Sequence, residues 1–275
     1  MLFTDQMERP VALLNHPPRR IVSLVPSQTE LLHALGLDAE VVGITKFCVH
    51  PRTWYDSKTR IGGTKTLNME RIAALQPDLI MGNKEENERT QIEHLSMQYP
   101  VWMSDVYTLA DALNMIGQVG DLCGRPDAAA GLIGQVRAAF DALPTVQPLR
   151  AAYLIWRKPY MAAGGHTFIH DMLDRAGFSN VFADKSRYPE VSAADLAASG
   201  AQAILLSSEP FPFSAKHIAE IQDICPDARI AVVDGEMFSW YGSRLALAPV
   251  YFEEIRKRLA QIEQSGKKSD APGKP

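Results

Sequence analysis

The chain has 275 residues, 46% of them hydrophobic, and a net charge of −4 at neutral pH. That length supports one large domain or two lobes, each with its own core. The mild negative charge, with no Lys/Arg run interleaved with aromatics, excludes nucleic acid as a partner, and no apolar run is long enough for membrane insertion.

The first ten residues carry Asp5 and Glu8 where an export signal would need a basic start and an apolar stretch. As written, the chain is expected in the cytoplasm; a true start further upstream would place it in the periplasm. Residues 20–32 read R-I-V-S-L-V-P-S-Q-T-E-L-L. An apolar run predicts a strand that stops at Pro26 and feeds a helix at once. Ser27 and Glu30 have the spacing of a capping box, in which hydroxyl and carboxylate satisfy free backbone N–H groups. A buried strand feeding a helix is the opening unit of an open α/β domain, whose ligands gather at the carboxyl ends of the strands. The pattern points to a binding cleft beside Ser27, Gln28 and Thr29.

Residues 46–51, K-F-C-V-H-P, hold Cys48 and His50 two positions apart. In a strand-like segment both would face one way and could reach a soft ion such as Zn²⁺. A closed site needs about four ligands, and no second Cys/His pair lies nearby in sequence. The other reading is a buried free cysteine beside a histidine packed on Pro51. Cys123 and Cys225 are too widely spaced to complete a disulfide framework. Gly62-Gly63 and Gly164-Gly165 predict tight turns or close backbone approach.

Two stretches share one pattern. Residues 68–81 read N-M-E-R-I-A-A-L-Q-P-D-L-I-M, with Asn68 as N-cap, Pro77 as terminator and a strand from Leu79. Residues 192–206 repeat it, with Ser192 as cap, Gly200 as stop and a strand from Ala203. Each is followed by a short strand ending in Asp, at 101–105 and 230–234. Between the halves, residues 109–143 have helical spacing broken once at Gly124 and Pro126. The second of these helices is long enough to join two lobes. The expected organisation is an α/β lobe over 1–108, connector helices over 109–148, a second α/β lobe over 149–263 and a disordered polar tail over 264–275.

Loops on a rigid scaffold are where binding residues sit. Phe47, Trp156, Tyr160, Tyr188, Phe238, Trp240 and Tyr241 all fall in or near such loops and supply large, rigid contact area. Lys65, Lys84, Arg157, Lys158 and Arg244 could form a cationic rim, with the arginines better suited to bidentate contacts. Neither a G-x-S-x-G elbow nor a dinucleotide or phosphate loop is present, so binding without catalysis is expected and no catalytic residue is assigned.

The opening R-I-V-S-L-V-P-S-Q-T-E-L-L-H-A-L-G, the N-M-E-R-I-A-A-L-Q-P-D-L-I block and the long central helix together carry a resemblance. The chain resembles the helical-backbone substrate-binding proteins of ABC importers, the family that includes the periplasmic vitamin B12- and siderophore-binding proteins. Matching segments run from about residue 5 to residue 260. The resemblance implies two α/β lobes joined by one long helix and a monomeric protein. It implies an organic ligand or metal chelate, cobalamin- or siderophore-like, held between the lobes with little closure. It also implies an ABC permease as partner, and no cofactor beyond the ligand itself.

In the vitamin B12 binders of that family, a cleft tyrosine falls on Phe47, another aromatic on Tyr160 and a tryptophan on Tyr188. A second tryptophan falls on Thr64, so this chain has one ring fewer and Lys65 beside the gap. The acidic cleft residue falls on Glu236 and a nearby arginine on Arg244. With Trp240, these are the expected ligand contacts. The family's permease-docking carboxylates fall on Glu70 and on Ala194, with Asp195 one position away. The competing readings are a cytosolic non-transport protein on the same fold, metal-binding or corrinoid-handling with an enzymatic role, and a sensor that keeps only the cleft.

Overall fold

The computed structural model describes the backbone of residues 1–269 and the side chains of residues 1–262. The chain is a mixed α/β protein that divides into two compact units. Met1–Arg137 and the short segment Tyr241–Arg244 make the first; Ala138–Trp240 and the chain from Leu245 onward make the second.

The first unit begins with a hairpin of β1 (Leu2–Thr4) and β2 (Pro10–Ala12). Its turn closes on Asp5, only 3% exposed. One Asp5 oxygen accepts the N–H groups of Met7 and Arg9, both at 2.9 Å. The other accepts the Met103 N–H at 3.3 Å and the Arg9 guanidinium at 2.9 and 2.7 Å. A buried carboxylate is tolerated when paired and hydrogen-bonded in this way.

The main sheet contains β3 (Ile21–Ser23), β4 (Val41–Ile44), β5 (Thr59–Arg60), β6 (Leu79–Asn83) and β7 (Val101–Ser104), all parallel, in the order β5-β4-β3-β6-β7. Helices α1 (Pro26–Ala34), α2 (Arg52–Ser57), α3 (Met69–Ala74) and α4 (Arg89–Ser96) make the connections, and α5 (Leu109–Leu122) follows the last strand. Every residue of β3, β6 and β7 is buried, as a parallel sheet covered on both faces requires. The order reverses at β3, so the carboxyl ends of β3 and β6 mark a topological switch point, the place where open α/β sheets bind ligands.

The Asn68 side chain caps α3 through the Arg71 N–H. The capping box expected at Ser27 and Glu30 does not form. Pro26 itself opens α1, with Val25 as a cap that makes no side-chain bond. Proline at the first helical position needs no N–H partner and already has the right φ, so the box has less to do. Glu30 instead pairs with Arg244 at 2.6 Å.

Helix α6 (Pro126–Asp141) starts on the proline the sequence indicates and carries the chain from the first unit into the second, the boundary falling at Arg137. It is roughly 24 Å long at 1.5 Å per residue.

The second unit holds β8 (Leu149–Trp156), β9 (Tyr160–Ala162), α7 (Phe168–Arg175), β10 (Phe178–Asn180), β11 (Glu190–Val191), α8 (Ala193–Ala198), β12 (Ala203–Ser207), α9 (Ile218–Ile224), β13 (Arg229–Val233), α10 (Glu236–Ser239) and α11 (Ala248–Ser269). Strands β8, β10, β12 and β13 run parallel; β9 returns antiparallel beside β8, and β11 pairs with β9. Leu154, Phe182, Leu196, Ile204, Leu206, Phe213 and Ile230 pack into one core on this sheet. Ser192 and Asp195 complete a capping box on α8, and Gly200 follows that helix at φ +65°. Helix α11 continues through Ser269, past residue 264 where composition predicts the ordered chain to end. Extending a formed helix costs little compared with nucleating one. Residues 270–275 of the expected tail lie outside the described residues.

Replacing Asp5 by Ala strands three backbone N–H groups and one guanidinium, and at about 1–3 kcal/mol per stranded buried donor the variant is expected to lose about 3 kcal/mol or more in urea unfolding. An Asp5→Ala protein within about 0.5 kcal/mol of the parent would show that water satisfies those groups.

Candidate functional site

At the carboxyl ends of β3, β6 and β7 lies a buried polar layer. Gln28 Nε2 donates to Ser104 Oγ at 2.6 Å and to the Gly82 carbonyl at 3.1 Å. Asn83 Nδ2 reaches the same Ser104 Oγ at 2.9 Å, while its Oδ1 accepts the N–H groups of Glu85 and Glu86 at 2.8 and 3.1 Å. Asn87 Oδ1 accepts the Asn83 N–H at 2.9 Å, and its Nδ2 donates to the Thr64 carbonyl at 3.1 Å. These side chains bond to backbone that loops would otherwise leave unpaired inside the fold. Tyr241 is buried against Ser27 and Ser104 in the same layer, and burial raises its phenol well above the ordinary value.

The layer supports three exposed loops. Phe47 is 51% exposed, with the Lys46 ammonium 5.0 Å from its ring centroid. The ring lies against Gly63, where a Cβ would come within 3.1 Å of Phe47 Cε2. Lys65 donates to the Glu85 carbonyl at 2.5 Å, and its own carbonyl accepts from Gln91 at 2.8 Å. Thr64 and Lys65 are therefore held by both main-chain and side-chain bonds. Glu86 keeps exposed surface, yet the protein crowded around it pushes its carboxyl upward, offset in part by Lys65.

Cys48 sits beneath this surface, fully buried. Its Sγ accepts from Thr29 Oγ1 at 3.0 Å and shares a hydrogen bond with Thr45 Oγ1 at 3.1 Å. Burial pushes the thiol up, which these hydroxyls offset only in part. His50 is half-buried. Among the described residues no group of three or more His, Cys, Asp or Glu side chains is placed to hold a metal ion. Of the two readings of this segment, the geometry at Cys48 is that of a packed free cysteine.

Arg244 belongs by its contacts to the first unit. It forms a bidentate pair with Glu30, at 3.1 and 2.6 Å, and its side chain is 11% exposed. The two residues are 214 positions apart, so no local pattern announces the pair.

In the second unit, the carboxyl end of β8 and the turn into β9 carry Trp156, Arg157 and Tyr160. Glu220 of α9 gathers two of them: it takes a forked contact from Arg157, closest at 2.6 Å, and accepts the Tyr160 hydroxyl. Arg157 and then Tyr160 hold the Glu220 carboxyl below its ordinary value. Burial and the neighbouring carboxylate raise the Tyr160 phenol to about 12. Trp156, 39% exposed, meets Phe211 edge-on at 5.8 Å, and Phe211 meets Phe213 and His217 at 4.8 and 5.4 Å. The F-P-F run at 211–213 with a histidine four positions on was the available signal for this ring cluster; sequence reasoning did not use it.

Trp240 is buried, and its indole N–H donates to Glu209 at 3.1 Å beside Ser239 at 2.6 Å. Glu236 opens α10, with its N–H bonded to Asp234. Tyr188 is half-buried, just before β11. The loop leading to it is clasped to Gly164 and Gly165, whose N–H groups reach the Arg187 and Lys185 carbonyls at 2.7 Å. A Cβ on Gly164 or Gly165 would lie 2.2 or 2.4 Å from a carbonyl oxygen of that loop. This glycine pair admits a second backbone, as close approach requires. Lys158, His166 and Arg187 on this edge all take positive φ, strain that persists only where surrounding structure imposes it.

Glu70 is exposed in the first turn of α3. Asp195 is exposed as well, but its carboxylate is engaged by the Ser192 N–H at 2.9 Å and hydroxyl at 2.7 Å, which lower its pKa.

Residues 21–224 match the sequence model described as periplasmic binding protein. A vitamin B12-binding protein from Vibrio parahaemolyticus is 27% identical over 188 residues, 66% of this chain and 68% of its own length. Among solved structures, a periplasmic vitamin B12-binding protein of Vibrio cholerae has a TM-score of 0.73 at 21% identity, covering 90% of this chain and 98% of its own. An ABC-type Fe³⁺-hydroxamate transport protein from Saccharomonospora viridis has a TM-score of 0.72 at 22% identity, covering 92% and 98%. The structural likenesses concern the fold alone.

Two outcomes follow from the geometry. Glu220→Gln removes the charge that disfavours the phenolate, so the Tyr160 phenol should fall from about 12 toward the ordinary 10 in an ultraviolet tyrosinate titration. In the parent, Glu220's folded value lies below 4.5, so the clamp contributes stability above that pH and loses it as the pH falls through the folded value. Cys48, Cys123 and Cys225 are all buried, so native protein at neutral pH should resist thiol alkylation, with three groups reacting on unfolding. Rapid native labelling at Cys48 would mean that the segment opens.

Proposed function

We propose, starting from the fact that this chain belongs to the periplasmic binding protein family, that it is a substrate-binding protein for ABC-type import. Its substrate is an organic ligand or metal chelate of the cobalamin or siderophore type, bound without chemical change. A curated sequence relative named for vitamin B12 supports that ligand class. The observation that carries the reading is Phe47. A half-exposed ring, held on Gly63 at the carboxyl end of a parallel strand, offers a flat apolar surface where such sheets bind ligands.

We assign ligand contact to Phe47, Thr64 and Lys65 on the first unit and to Tyr188 and Glu236 on the second. Tyr160, Trp240 and Arg244 are each committed to a carboxylate, Glu220, Glu209 and Glu30 respectively, and so position these loops as well as lining them. Glu70 and Asp195 are the proposed contacts with a permease. Asp195 would engage it through the carboxylate surface that its cap leaves open, since the side chain stays exposed. The protein acts as a monomer, in the periplasm where its family works, and no helix among the described residues is long and apolar enough to cross a membrane.

Calorimetry with cyanocobalamin, a ferric hydroxamate and free Zn²⁺ tests the reading. At least one chelate should bind with a dissociation constant on the order of 1 μM or lower. Phe47→Ala and Tyr188→Ala should each weaken it about tenfold, the equivalent of one lost ring contact of about 1.4 kcal/mol. Tight Zn²⁺ binding that disappears in Cys48→Ser, with no response to either chelate, would overturn it.

A further inference from the structure

At the amino-terminal end of the second unit's sheet, away from every loop discussed so far, two adjoining hollows of about 280 and 300 Å³ open on the surface. Leu143, Pro144, Val146 and Arg175 line both. The first is walled mainly by carbon, with Phe252 and Ala260 of α11 on its far side. The second is the more polar, where Thr145 and Asp174 meet Gly177. Each is near the lower end of the volume range of small-molecule sites, and together they make one slot with an apolar and a polar half.

The charges around the slot are unevenly matched. Arg175 pairs with Asp171 at 2.8 Å and Lys257 with Glu253 at 3.2 Å, while Asp174 faces His170 at 3.6 Å. Arg256, half-buried against the Phe178 ring at 5.4 Å, has no carboxylate partner among the described residues. Among the described residues it donates only to the carbonyls of Gly177 and Gln147, at 2.6 and 2.9 Å. Gly177 closes the end of α7, whose dipole supplies only about half a negative charge. Three of the guanidinium's five N–H donors have no acceptor there. Burial and nearby Arg229 both push Arg256 toward losing its proton, which a bound anion would reverse.

We propose that this slot is a second binding site, for a small amphipathic organic anion with a hydrocarbon body along Val146, Phe252 and Ala260 and one carboxylate at Arg256. It lies at the opposite ends of the strands from the proposed substrate site, so its occupant would not displace the substrate. The hydrocarbon contributes by leaving water, and Arg256 gains an anionic partner that none of the described residues provides.

Calorimetry on the full chain with decanoate, decanol and decylamine tests this. Decanoate should bind at least about tenfold more tightly than the uncharged and cationic chains. Arg256→Gln should abolish that preference. Ala260 is exposed on α11, so Ala260→Trp should fill the slot and cut decanoate binding at least about tenfold, with an unchanged melting temperature. Equal binding of all three chains, no decanoate binding at millimolar concentration, or unaltered binding by Ala260→Trp would each overturn the assignment. Should Arg256→Gln fail to fold, the chain comparison and Ala260→Trp still decide it.

Discussion

The side-chain amide of Asn87 holds together the loops at the carboxyl ends of the first unit's strands. Its oxygen accepts from the backbone where β6 ends, and its nitrogen donates to the loop that carries Thr64 and Lys65. Asn83 and Gln28 converge beside it on the Ser104 hydroxyl. A parallel sheet buried on both faces leaves unpaired backbone groups wherever its strands stop, and those groups must find partners. Here amide and hydroxyl side chains supply them. The loops above are fixed largely from beneath, with the exposed Lys65 ammonium adding one bond to the Glu85 carbonyl, and Phe47, Lys46 and Lys65 stay at the surface.

The second unit reaches the same end differently. Its loops are held by carboxylates: Glu220 gathers Arg157 and Tyr160, and Glu209 gathers Ser239 and Trp240. Charge-assisted bonds of this kind are stronger than neutral ones but depend on ionisation. Protonation of Glu220 can loosen the Arg157–Tyr160 clamp, whereas the first unit's amide network carries no titrating group of its own. The groove at the other end of the second sheet is of a third kind, an arginine that among the described residues meets carbonyls alone beside an apolar slot.

Arrangement also decides what a residue type means. Cys48 and His50 have a metal-ligand spacing, and the Cys48 thiol lies buried between the hydroxyls of two threonines. The glycine pair at 164–165 admits another stretch of backbone. Arg244, one of the two arginines expected to suit an anionic ligand, is held in a fork by Glu30.

Local chemistry alone determined much of the architecture. Caps at Asn68 and Ser192, the stop at Gly200, proline opening α6 and the largely apolar buried strands are short-range effects, legible because a helix end or buried strand needs particular residues within a few positions. The family resemblance was legible for the same reason, since its signature segments are local. What only the tertiary structure decided are partnerships between distant residues. Glu30 was read as a cap and is an ion-pair partner 214 positions from Arg244. Glu220 was not read as part of any site, yet it holds Tyr160 from 60 positions away. A side chain's partner is set by where the whole chain brings its neighbours, and no spacing rule reaches that far.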